Sequence, residues 1–143
     1  MIPTCLSDFV MPPCAALLGA EILAADGARG WVRIRFAGRE TFRNPSGHIQ
    51  GGLLTAMLDD TMGPAVLVAT DGARMPVTIA LSVTFLAPAR PGPLTGEATV
   101  LKLGRSIGHV EALLADPDGQ AVARATASVR LVPAPASEPA RRP

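Results

Sequence analysis

One segment decides what this chain can fold into. From Gly51 to Ala69, the residues Leu53, Leu54, Met57, Leu58, Met62, Ala65, Val66 and Ala69 recur at helical spacing and cover most of one helix's circumference. A helix apolar on nearly every side needs cover on more than one face. Gly51-Gly52 opens the pattern and Asp71-Gly72 closes it, while Pro64 is expected to kink it by removing a backbone bond. Asp59-Asp60 and Gly63-Pro64 interrupt the apolar run, so it reads as a buried core helix. A bilayer span needs ~20 apolar residues with few charges.

The flanking sequence supplies the cover. Trp31 to Phe36 alternates, with Val32, Ile34 and Phe36 on one face and Trp31, Arg33 and Arg35 on the other, which marks a half-buried strand. Ala20 to Ala25 is a short extended piece, and Pro12-Pro13 opens a short helix that Gly19 ends. After the long helix, Val77, Ile79, Leu81, Val83 and Phe85 alternate with Thr78, Ala80, Ser82, Thr84 and Leu86. Strands near 94–103, 107–115 and 120–132 follow, the last two joined by the turn Asp116-Pro117-Asp118-Gly119. In that hairpin Glu111 is expected opposite Arg124. The fold class is therefore α+β: a curved antiparallel meander of about four strands wrapped around one long central helix. Residues 1–132 form a single domain with a loose stretch over 1–11, and 133–143 is a Pro/Ala/Arg-rich tail expected to be disordered.

Composition removes several function classes. A length of 143 residues suits one domain with a real core. Thirteen basic against twelve acidic side chains give a net charge of +1, which offers no footprint for nucleic acid or an anionic membrane. Trp31 and four phenylalanines, with no tyrosine, make no base-stacking platform. Cys5 and Cys14 lie in unpatterned sequence and read as free thiols, so neither a disulfide scaffold nor a metal site is expected. No basic run precedes an apolar core at the N-terminus, and a cytoplasmic location is expected. Lys102 is the single lysine, a habit of GC-rich bacterial genomes.

Polar groups in apolar surroundings carry the chemistry. Asp59 and Asp60 sit mid-helix, where an ionised carboxylate is costly unless paired. Either at least one has a specific task, or both face a solvated groove or subunit interface. Gly51-Gly52 places exposed N–H groups at a helix N-terminus, suited to an oxyanion, or is simply a flexible junction. His48, in the loop before the helix, and His109, in a strand, are weaker candidates for substrate contact. Nucleophile elbows, phosphate loops and dinucleotide fingerprints are absent.

The run Asn44-Pro45-Ser46-Gly47-His48-Ile49-Gln50-Gly51-Gly52-Leu53-Leu54-Thr55-Ala56-Met57-Leu58-Asp59-Asp60 resembles the signature of hotdog-fold thioesterases, specifically the phenylacetic-acid-degradation type. The resemblance extends over about residues 20–132, including Pro76 to Gly92 and Arg105 to Val132. It implies hydrolysis of acyl-CoA thioesters without metal or bound cofactor, in a homodimer or homotetramer with active sites at the dimer interface. On that resemblance Asp59 is the general base or nucleophile, and the Gly51 N–H polarises the thioester carbonyl. Asn44 lies near the reacting centre, and Thr78, contributed by the partner subunit, orients the attacking water. Arg90 and the Gly104-Arg105-Ser106 turn hold CoA phosphates, and Met57, Leu58, Met62 and Phe85 are candidates for the acyl pocket. One position departs from the pattern: Gln50 stands where the family has histidine before Gly-Gly. Glutamine can donate a hydrogen bond to a thioester oxygen, with Gly51, but cannot carry a proton. That departure keeps a non-catalytic acyl-CoA sensor or carrier as the alternative, ahead of a hydratase or dehydratase. Asp60 is expected to support the site or an interface.

Overall fold

The computed structural model describes residues 4–135. In chain order the elements are α1 (Pro13–Leu17), β1 (Glu21–Asp26), β2 (Trp31–Gly38), a 3-10 turn (Glu40–Phe42), α2 (Gly51–Ala69), β3 (Arg74–Phe85), β4 (Gly92–Leu103), β5 (Ile107–Ala115) and β6 (Ala121–Pro133). All strands pair antiparallel in one six-stranded sheet, ordered β1-β2-β4-β5-β6-β3. The expected four-strand meander is thus only partly realised. β4, β5 and β6 follow one another, but α2 carries the chain across the sheet, so β3 lies beyond β6 at the far edge.

The inner face of β2 is buried as its alternation requires: Val32, Ile34 and Phe36 are all buried and meet Met57, Leu58 and Met62 in one core. Gly96 of β4 permits α2 to sit close, since a Cβ there would lie 2.6 Å from Thr61 Oγ1. α2 remains a single helix through Pro64. It is not enclosed on every side, however. Gly52 and Asp59 are exposed, and Ala56, Asp60 and Gly63 half-buried, along a stripe that the sheet leaves open.

Two registers differ from the sequence expectation. Glu111 lies opposite Thr126, and Arg124 opposite Leu113. The ion pair forms diagonally, at 3.9 Å between exposed groups, so it contributes little. In β3 a bulge between Thr78 and Ala80 breaks the alternation. Thr78 pairs with inward-facing Val129, whereas Leu81 and Val83 pair with inward-facing Ala127 and Ala125. Val77, expected on the same face as Leu81, instead pairs with exposed Arg130. One extra residue therefore turns a hydroxyl inward at Thr78 while keeping the apolar residues inward after it.

From the stretch expected to be loose, Leu6 is buried in the core and Phe9 packs against it. At the other end β6 runs through Pro133, and residues 136–143 of the expected tail lie outside the described residues.

Candidate active site

Two helical turns into α2, Asp59 is exposed and accepts a hydrogen bond from Thr78 Oγ1 at 2.8 Å. Both residues belong to the same chain, so the expectation that Thr78 reaches this carboxylate from a partner subunit is corrected. The β3 bulge accounts for it by aiming Thr78 at the helix. Asp60 beside it is half-buried. Burial, and then the charge of Asp59, raises the Asp60 carboxyl above its ordinary value.

Asp59, Asp60 and Thr78 open onto a cleft of about 350 Å³. Met62 lines it, together with Leu67, Met75 and Pro76, and Phe9, Met11 and Leu18 close the opposite side. Of the acyl-pocket candidates only Met62 is there. Met57 and Leu58 are fully buried in the core, and Phe85 is exposed. The Phe85 ring covers Gly51 instead, close enough that a Cβ on Gly51 would lie 3.1 Å from it.

At the N-terminus of α2 the Gln50 side-chain oxygen accepts the Leu53 N–H at 3.1 Å, a helix cap. Its amide nitrogen is left free to donate to a ligand. Among the described residues the Gly51 and Gly52 N–H groups have no hydrogen-bond partner. Asn44 braces the preceding loop: its side-chain oxygen accepts from the backbone of Ser46 at 2.9 Å and His48 at 3.1 Å.

The arginine candidates lie apart from this cleft. Arg90 lines a second, more polar cleft with His48, Asp116, Asp118 and Gln120. Gly104-Arg105-Ser106 turns between β4 and β5, tied by Arg74 to the Arg105 carbonyl at 2.6 Å and by Leu131 to the Ser106 carbonyl at 2.8 Å. Neither Arg90 nor Arg105 makes an ion pair among the described residues. His109 lines a shallow groove with Leu101 and Ser128. Sequence patterning does not reveal that Phe9 to Leu18 walls the cleft, because a five-residue helix is too short to show which face it buries.

Comparison with known proteins bears on this arrangement. A family model described as the thioesterase superfamily matches residues 46–123. A proposed esterase of Saccharolobus solfataricus is 33% identical over 111 residues, 78% of this chain and 77% of that protein. Among solved structures, a proposed thioesterase of Ralstonia eutropha, related to phenylacetic acid degradation, superposes with a TM-score of 0.82. It shares 34% identity, and the match covers 88% of this chain and 95% of that one. A Streptococcus mutans protein solved with acetyl-CoA shares the fold at 20% identity, with a TM-score of 0.71 and coverage of 80% and 90%.

Proposed function

The chain belongs to the thioesterase superfamily and has its hotdog fold, and from that premise we propose that it hydrolyses acyl-CoA thioesters at Asp59. The observation that carries this reading is the carboxylate–hydroxyl pair of Asp59 and Thr78, held at 2.8 Å on the rim of an apolar cleft. The Thr78 hydroxyl donates to one Asp59 oxygen, which leaves its lone pairs to accept from a water. The other Asp59 oxygen takes that water's proton as its oxygen attacks the thioester carbon, and CoA leaves as the thiolate. Direct attack by Asp59, giving an anhydride that water then opens, uses the same geometry. The acetyl-CoA complex of the Streptococcus mutans relative supports a CoA ester as the substrate. Arg90 and Arg105, without an ion pair among the described residues, are offered for the CoA phosphates, and Asn44 for the edge of the site through its amide nitrogen.

The oxyanion donor in this proposal is the Gly51 N–H, with the Gln50 amide beside it. Eight residues of α2 separate Gly51 from Asp59, about 12 Å of helix axis at 1.5 Å per residue. One thioester carbonyl cannot lie within ~3 Å of both. The donor for Asp59 is therefore assigned to a second copy of the chain, and the working unit to a homodimer, alone or paired into a tetramer.

Asp59→Asn is expected to lower kcat at least 10²–10⁴-fold in thiol-release assays across a panel of acyl-CoAs, with acyl-CoA affinity little changed. Equal turnover in variant and parent would remove Asp59 from the mechanism. Gln50 favours a second reading, an acyl-CoA binder. Saturable binding without turnover in the parent would establish it.

A further inference from the structure

The Asp59 cleft is built from two unlike parts of the chain. Asp59, Asp60, Met62, Leu67 and Thr78 lie within the residues that match the family model, 46–123. Outside it lie Ile34 of β2 and the N-terminal residues Phe9, Met11, Pro12, Cys14, Ala15 and Leu18, which form a wall of their own. This wall is a strap fixed at both ends, with α1 and its buried Ala15 in its second half. At one end Leu6 is buried and Cys5 Sγ reaches the Leu67 carbonyl at 3.5 Å. At the other, Leu18 is buried and Arg39 Nε donates to the Leu17 carbonyl at 2.9 Å. Between these anchors the N–H groups of Val10 and Met11 have no backbone partner among the described residues, while Phe9 and Met11 turn half-buried into the cleft.

We propose that Phe9 and Met11 select the acyl group, admitting uncharged aliphatic or aryl acyl chains between the strap and α2 and refusing those that end in a carboxylate. The first half follows from the lining, which is apolar apart from Asp59, Asp60 and Thr78 and includes a thioether and an aromatic edge that adapt to chain or ring. The second follows from charge. Among the described residues of one chain, the cleft's ionisable side chains besides the Cys14 thiol are two carboxylates, with no lysine, arginine or histidine to receive a third. The proposal rests on the reading that the thioester reacts at Asp59, and it is tested without relying on hydrolysis.

The probes are non-hydrolysable CoA thioethers carrying hexyl, decyl, phenethyl or carboxybutyl groups, with Kd measured by titration calorimetry. In the parent, the carboxybutyl thioether is expected to bind at least about tenfold more weakly than the hexyl thioether. Met11→Trp should weaken the decyl probe relative to the hexyl, and Phe9→Ala with Met11→Ala should favour the decyl, by roughly tenfold per lost or gained methylene of fit. Both positions are half-exposed, and thermal melting checks that each variant is folded. An unchanged ranking of probes in both variants overturns the proposal, as does parity of the carboxybutyl and hexyl probes. Thiol release from the corresponding thioesters is run alongside. A shifted ranking with no parental turnover would sink hydrolysis at Asp59 and leave the strap's selectivity standing. Turnover with an unshifted ranking would do the reverse.

Discussion

The environment of Asp60 works against its charge. Burial raises its carboxyl above 3.8, and the neighbouring Asp59 charge adds to that. A raised carboxyl binds its proton more tightly in the native than in the unfolded chain. Stability therefore falls as pH rises from the ordinary value through the native one, and stays lower above it. Asp60→Asn should accordingly melt higher than the parent at about pH 7 and equal to it at about pH 3. A parallel offset at both values would mean that the charge is irrelevant. The two aspartates were legible because carboxylates among Met57, Leu58 and Met62 are conspicuous in any helical reading. Their division of labour was not, since which of two adjacent residues faces the cleft rim and which is tucked beneath it depends on packing. Gln50 shows the same limit. Its sequence position suggests a ligand contact, whereas its oxygen serves as a helix cap.

At the scale of elements, α2 is held against the sheet by a contact that a single methyl would disturb. A Cβ at residue 96 would lie 2.6 Å from Thr61 Oγ1 and 3.1 Å from the Phe36 ring. The Thr61 hydroxyl is fixed by its bond to the Met57 carbonyl at 2.7 Å, so it cannot swing aside without leaving that bond. Gly96→Ala is expected to destabilise the protein by about 1–3 kcal/mol in urea unfolding, the scale of core overpacking. Thr61→Ala in the same chain should recover part of that loss, with Phe36 accounting for the rest. Strict additivity of the two changes would show that the helix simply shifts. Helix and strand identities followed from period alone, as the fully buried Val32, Ile34 and Phe36 face confirms. The β3 bulge did not, because β-branched residues continue unbroken through Val77, Thr78 and Ile79. The place of β3 was equally hidden: the turn at 116–119 pairs β5 with β6, but nothing in either strand encodes that β3 takes the other edge of β6.

At the scale of the whole molecule, β3 is twelve residues long, lies at the end of the strand order and exposes Val77 and Ile79. Such an edge invites a second copy, and pairing there would extend the sheet. The proposed division of each site between two chains makes this assembly testable by complementation. Gly51 is the first residue of α2, where proline is tolerated, and Gln50 before it already has the extended backbone that a following proline requires. Gly51→Pro thus removes the oxyanion N–H while keeping the helix, provided that the half-exposed Phe85 ring turns away from the added atoms. Gly51→Pro and Asp59→Asn should each be nearly inactive as pure assemblies. Refolded together from urea, they should form mixed dimers in which one site carries both defects and the other carries neither. Random pairing makes half the dimers mixed and half of their sites intact, so about a quarter of parental thiol release should return. If mixed dimers form by mass spectrometry yet no activity returns, Gly51 and Asp59 of different chains do not share a thioester, and the two-chain site is wrong.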